Sequence, residues 1–217
     1  MYNCSFIVYD LETGGLINSK TGWIPPITEF ACSVLDNKLD VIDEVDFFIK
    51  PYRPASEYQA AALNVSNITL ERCEQEGLTK EEAAKKIIDI FKKAKSGAQS
   101  KKPILCGHNI DSFDNPILGR FLEENKQDIS KFIEMDCTID TKWWGRIAYP
   151  DLPGYTLSDC LMKENIDNEQ AHRAIGDVRA NKELIVKLLS KLRGTIVSTG
   201  VEESSFRKTF RFQMAKK

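Results

Sequence analysis

Phe6-Ile7-Val8-Tyr9-Asp10-Leu11-Glu12-Thr13-Gly14-Gly15-Leu16 is the stretch whose reading decides the fold. Phe6 to Tyr9 is an aromatic and β-branched run, the composition of a buried strand. It ends at Asp10, and Gly14-Gly15 punctuates the turn that follows. Side chains at i and i+2 of a strand share a face, so Asp10 and Glu12 can reach one ligand. A same-face acidic pair leaving a buried strand is electrostatically costly unless a cation sits beside it. A solvated strand end is the alternative reading of that pair.

Outward from this strand, Trp23 to Pro26 reads as a loop. Ile27 to Leu35 and Val41 to Ile49 read as two more strands, joined through Asp36-Asn37-Lys38. So short a link predicts an antiparallel hairpin, and Pro51 and Pro54 end the pattern. Thr79-Lys80-Glu81-Glu82 is a capping box. It opens a helix to about Lys95 with Ala83, Ala84, Ile87, Ile88, Phe91 and Ala94 along one stripe. A polar loop follows from Ser96 to Lys102. Further along come a strand from Ile104 to Gly107, a helix from Asp114 to Asn125 and a strand including Cys137 to Ile139. Helices are predicted around Thr141 to Ile147, Thr156 to Glu164, and Ala174 to Leu192. Three early strands, then strands alternating with helices, imply an α/β layered fold with a mixed sheet.

A chain of 217 residues fits one domain with a single sizeable core. Residues 1–195 form that domain; from Ile196 to Lys217 the pattern changes to a tail. There Arg207, Lys208, Arg211, Lys216 and Lys217 interleave with Phe206, Phe210 and Phe212. Hydrophobic residues at 42% and charged residues at 29% exclude a disordered or fibrous chain. No apolar run is long enough to span a bilayer, and Met1-Tyr2-Asn3-Cys4 does not read as the start of a signal peptide. Six scattered cysteines without C-x-x-C spacing argue against a zinc site and for reduced thiols in a cytoplasmic compartment. The net charge of −2 is not that of a simple nucleic-acid coat. It still admits a nucleic-acid enzyme whose metal site needs carboxylates.

Two further elements carry polar residues at element ends. Gly107-His108-Asn109-Ile110-Asp111-Ser112-Phe113-Asp114 leads from a strand into a helix. Asp114 can serve there as a helix cap or as a third acid, with Phe113 as its apolar anchor. Asp111 is the alternative carrier. His172-Arg173-Ala174-Ile175-Gly176-Asp177 places a histidine in a polar loop and an acid in the first turns of the last helix. For His108 the structural, hydrogen-bonding reading is the stronger one.

Together these elements resemble the three motifs of the DEDDh, or DnaQ-like, 3′–5′ exonuclease family, which includes the proofreading subunit of bacterial replicative polymerase and RNase T. Asp10-Leu11-Glu12-Thr13 with Gly15-Leu16 is similar to the first motif. His108-Asn109 with Phe113-Asp114 is similar to the second, and His172-x-Ala174-x-x-Asp177 to the third. Ile27 to Ala31 and Asp140-Thr141 are weaker echoes. Ala61 to Thr69 resembles a segment that lies beside the terminal nucleotide. The resemblance spans roughly residues 5 to 192. Gly14 departs from it, standing where a second threonine is common. Asn64 to Ile68 departs too, replacing His-Gly-Ile, and the loop from Leu16 to Ile27 is somewhat long.

The resemblance implies an RNase H-like fold, a mostly five-stranded mixed sheet with helices on both faces. Four crowded carboxylates repel one another, and two divalent cations, Mg²⁺ or Mn²⁺, would cancel that charge. Asp10, Glu12, Asp114 and Asp177 are the expected metal ligands, and His172 the general base that takes a proton from the attacking water. Attack at a 3′ end is implied by the resemblance alone. It also implies that Thr13, Gly14, Gly15 and Leu16 grip the terminal nucleotide, and that Asn64, His108, Asn109 and Phe113 belong with them to the substrate-binding residues. The partner implied is a nucleic acid with a free 3′ end, single-stranded DNA first, together with a polymerase or other replication protein at the tail. Trp143-Trp144 offers either a stacking surface for bases or one core and one half-exposed ring. An RNase T- or oligoribonuclease-like exoribonuclease and a non-catalytic nucleic-acid or polymerase-binding module are the competing readings.

Overall fold

The computed structural model describes residues 5–97 and 102–198. The last helix continues to Ser198, past the expected start of the tail at Ile196, and the tail expectation beyond it lies outside the described residues. Five strands build one sheet in the order β3-β2-β1-β4-β5. They are β1 (Phe6–Thr13), β2 (Ile27–Leu35), β3 (Val41–Phe48), β4 (Ile104–Gly107) and β5 (Thr138–Asp140). The β1–β2 and β2–β3 pairs are antiparallel, whereas β1–β4 and β4–β5 are parallel. The hairpin at Asp36-Asn37-Lys38 forms as expected. The C-terminal ends of β1, β4 and β5 therefore share one edge of the sheet, the usual place for a ligand crevice in such folds.

Among the described residues the α-helices are α1 (Ala60–Ser66), α2 (Leu70–Glu76), α3 (Lys80–Gly97), α4 (Asp114–Glu124), α5 (Thr141–Ala148), α6 (Leu157–Lys163) and α7 (Ala174–Ser198). The period of two along β1 sorts its side chains between two cores. Ile7, Tyr9 and Leu11 pack with Ala83, Ile87 and Phe91 of α3 and Ile117 and Phe121 of α4. Phe6 and Val8 pack instead with Ala174, Val178 and Ile185 of α7. Both faces of the sheet are thus covered, which makes β2 buried along its whole length. The edge strand β3 is blunted by charge: Asp43 pairs with Lys93 of α3 and Glu44 with Arg179 of α7.

The capping box that opens α3 forms as read. Thr79 donates its backbone N–H to Glu82 Oε2 at 3.0 Å, and Glu82 N–H donates to Thr79 Oγ1 at 3.3 Å. A single 3₁₀ turn at Ala55–Glu57 and helices α1 and α2 occupy a stretch that the apolar pattern leaves blank. Each of the two helices buries a single side chain, Ser66 in α1 and Cys73 in α2, so neither has an apolar stripe to read. Their terminal signals are local ones: Thr69 caps α2 by accepting from Arg72 N–H, and Asn67 closes α1 in the left-handed region. Among the described residues no helix is long and apolar enough to cross a membrane.

Candidate active site

Asp10 and Glu12 continue the row of Phe6 and Val8, so they point to the side of the sheet that α7 covers. There α7 presents Asp177 in its first turn. One carboxylate oxygen from each of Asp10, Glu12 and Asp177 lies within 4.8 Å of the others. The pairing of β1 with β2 shifts register between Glu12 and Thr13, a bulge of the kind that re-aims side chains beside sites.

Asp114, the first residue of α4, stands outside that trio. Its Oδ1 accepts the Leu11 N–H at 3.1 Å, which fixes the buried carboxylate against β1. It is nonetheless the neighbouring charge that acts most strongly on Asp10. Tyr9 holds α4 in this position, donating its hydroxyl to Asn115 Oδ1 at 2.5 Å, while Asn115 Nδ2 donates to the Met135 carbonyl at 3.0 Å. Asp111 is directed elsewhere: its Oδ1 accepts from Thr138 Oγ1 at 2.7 Å on β5. Asp114 is thus the acid that adjoins the pair on β1.

Burial, followed by mutual repulsion, raises the carboxyl pKa values here. Asp10 lies well above the usual carboxylate range through burial, then Asp114, Glu12 and Asp177. Glu12 is raised to about 8 by burial and by Asp177 and Glu29, with Arg173 opposing. Asp114 is also raised to about 8, chiefly by burial, against the Leu11 N–H bond that lowers it. Asp177 is raised by burial, although Asn168 Nδ2 at 2.6 Å and the His172 N–H at 3.3 Å both donate to it. A donor set made only of crowded carboxylate oxygens fits a hard divalent cation, which would remove the repulsion.

His172 is exposed and has φ +65°, a conformation uncommon outside glycine. The turn is tied to α7 through its N–H and the Asp177 carboxylate. A Cβ on Gly176 would meet the Gln170 carbonyl oxygen at 2.2 Å, so a glycine there lets the His172 loop lie against the helix.

The remaining expected residues fall along the same edge or close to it. Thr13 is buried and donates to the Gly15 carbonyl at 2.7 Å. Gly14 and Gly15 are buried under Tyr58, Gln59 and Trp23, and Leu16 is 70% exposed. The departure at Gly14 has a steric reason, since a Cβ there would meet the Tyr58 ring at 2.7 Å and Pro26 at 3.0 Å. Asn64 is exposed on α1, and Phe113 packs partly buried against the main core. His108 spends both ring nitrogens internally, on Thr141 Oγ1 and the Tyr155 carbonyl, each at 3.0 Å, in keeping with its structural reading. Asn109, at φ +60°, accepts from Lys142 Nζ at 3.0 Å.

The residues that support this arrangement carry weak signals in the sequence. Glu29, fully buried on β2, accepts from Arg173 at 2.6 and 3.1 Å and from the Ala174 N–H at 3.2 Å. Asp140 caps α5 and accepts the N–H groups of Asn109 at 2.9 Å and Asp111 at 3.4 Å. Both lie in segments that carried only a faint family echo. Tyr9, Asn115 and Asn168 gave no signal beyond their own side-chain chemistry.

The RNase_T family model, described as Exonuclease, matches residues 7–185. The chain is similar to DNA polymerase III PolC-type of Bacillus subtilis (strain 168), with 28% identity over 189 residues, 85% of this chain and 11% of the polymerase. The PolC-type polymerase of Latilactobacillus sakei subsp. sakei (strain 23K) is 25% identical over 186 residues, 86% of this chain and 11% of its own length. The chain therefore spans about a tenth of the length of these relatives. Among solved structures, E. coli Exonuclease I in complex with a dT13 oligonucleotide matches with a TM-score of 0.73 at 20% identity. That match covers 90% of this chain and 43% of the other, and it speaks for the fold.

Proposed function

The chain belongs to the RNase_T exonuclease family, and on that premise we propose that it removes nucleotides one at a time from the 3′ end of DNA. The observation that carries this reading is the approach of Asp10, Glu12 and Asp177 to within 4.8 Å, with Asp114 adjoining. These four residues would hold two divalent cations, Mg²⁺ or Mn²⁺, as oxygen ligands suit them. When bound, the cations neutralise the carboxylates and stabilise the charge that develops on the attacking and leaving oxygens.

The chain's own groups do the rest. A water oxygen attacks the terminal phosphorus, and the bond from phosphorus to the 3′ oxygen of the preceding nucleotide breaks. The departing 3′ oxygen takes a proton from solvent, so the shortened strand keeps a 3′-hydroxyl, and the released nucleotide carries a 5′-phosphate. His172, exposed beside Asp177, takes the proton lost by the water. Its backbone tie to the Asp177 carboxylate couples its place to that of the acids. Leu16 and Asn64, both exposed, would meet the terminal nucleotide.

DNA is favoured as substrate by the names of the relatives, which are DNA polymerases, and by the oligothymidylate bound to the Exonuclease I neighbour. The test uses 5′-labelled single- and double-stranded DNA and RNA with Mg²⁺ or Mn²⁺, comparing wild type with Asp10→Ala. A ladder shortening from the 3′ end of DNA, absent in Asp10→Ala and in EDTA, is expected. Faster shortening of RNA would assign the chain to RNA trimming, and no shortening at all would leave it a binding module.

A further inference from the structure

The C-terminal edge of the sheet does not end at the acidic cluster. From β1 it passes the end of β4, where Asn109 turns, and reaches the end of β5, where α5 begins. Three side chains on α5 reach the surface there, none of them part of a buried core cluster. Lys142 Nζ is fastened to Asn109 Oδ1 at 3.0 Å, which uses one of its three donors. Trp143 is 49% exposed, while its neighbour Trp144 packs into the core. The Arg146 guanidinium lies 5.0 Å from the Trp143 ring centre and 5.7 Å from that of Tyr155. The small recess beside Lys142 is lined by His108, Asn109, Tyr155, Thr156 and Leu157.

Asp140 is buried at this edge, whereas the carboxylates of Asp111 and Asp159 lie at the surface engaged by Thr138 and Thr156. Asp140 accepts backbone N–H groups of Asn109, Asp111 and Lys142, and Asp159 accepts the hydroxyl and N–H of Thr156. Beside them α5 offers an ammonium, a guanidinium and an indole plane within about one helical turn, with Ile147 exposed one residue further on. That combination fits single-stranded nucleic acid, in which phosphates meet the cations and bases stack on the ring whatever their identity. We propose that the outer face of α5 is a subsite for the single DNA strand upstream of its terminal nucleotide. Lys142 takes a phosphate, and Trp143 backed by Arg146 stacks a base. Two strand spacings separate β1 from β5, about 10 Å. That distance corresponds to roughly two or three stacked nucleotides. The assignment rests on the exonuclease reading for its direction along the strand, and its binding test does not depend on that reading.

The test is equilibrium binding of 5′-fluorescein octathymidylate, read by anisotropy in EDTA at low salt. Trp143→Ala should weaken binding about 5-fold or more, and Trp143→Phe should restore most of it because a stacking plane returns. Lys142→Ala and Arg146→Ala should each flatten the salt dependence by about 0.7 in logarithmic slope. Binding by a folded Trp143→Ala variant that matches wild type overturns the subsite. Hydrolysis by wild type is scored separately with the same oligomer. Binding through Trp143 without any 3′ shortening keeps the subsite and removes the exonuclease reading; shortening with binding indifferent to Trp143 does the reverse.

Discussion

Glu12 and Glu29 stand opposite each other as register partners on β1 and β2, two acids in adjoining positions with divided tasks. Glu12 joins the cluster with Asp10 and Asp177, whereas Glu29 is spent on Arg173 and the Ala174 N–H. The buried glutamate thereby anchors the start of α7, from which both His172 and Asp177 are hung.

Glu29→Ala should accordingly do two kinds of damage. Leaving Arg173 without its partner should cost about 3 kcal/mol, the low end for a broken buried pair because Arg173 is partly exposed. Loosening the α7 start should also lower kcat by about 10²-fold, as small misplacements of reacting groups do. Urea unfolding reads the first, and single-strand hydrolysis at saturating substrate the second. Unchanged kcat would limit Glu29 to a structural role.

His172→Ala should lower kcat by roughly 10²–10⁴-fold, the range for loss of a general base, while substrate binding with metal present is largely retained. Steady-state kinetics alongside binding separates the two. Equal turnover at neutral pH would take His172 out of the proton transfer.

Tyr9→Phe removes the hydroxyl bonded to Asn115 and leaves a buried amide oxygen unsatisfied, at a cost of about 1–3 kcal/mol. Because Asn115 follows Asp114, activity should fall further than the stability loss alone explains at a temperature where the variant remains folded. Activity in proportion to the folded fraction would mean that Asp114 is held by Leu11 N–H alone.

Without metal, stability should depend on pH in a defined direction. Glu12 and Asp114 are raised to about 8 in the folded chain, above their values in an unfolded one. The folded state then holds protons that the unfolded state releases, so their contribution is complete below about pH 4 and is lost as pH rises toward about 8. In EDTA the Tm should fall from pH 5 to 9. Mg²⁺ should raise Tm more at pH 8 than at pH 5, because metal takes the place of those protons. Thermal scans across this range, with and without Mg²⁺, decide it; a Mg²⁺ effect that shrinks with rising pH would contradict the crowding.

The fold was legible wherever burial leaves a period. The run from Phe6 to Tyr9, the β2–β3 hairpin and the capped stripe of α3 each carry a pattern that one buried face requires. Helices α1 and α2 bury one side chain apiece and left no such trace. The acids at positions 10, 12, 114 and 177 are legible because each lies near an end of an element whose type can be read, although β1 runs on to Thr13 rather than ending at Asp10. Where Asp114 would point is not legible, since that depends on a hydrogen bond to Leu11 between segments a hundred residues apart in sequence. Nor could Glu29 be separated from an acid that belongs to the site, because its partner Arg173 arrives from the far end of the chain.

A calorimetric titration of the metal-free chain with Mn²⁺ near pH 7 tests the acidic cluster most directly. Two ions per chain should bind, with protons released as they do, and Asp10→Asn should abolish at least one of the two. Undiminished binding by Asp10→Asn, or no binding by wild type, would mean that Asp10, Glu12, Asp114 and Asp177 do not form a metal site.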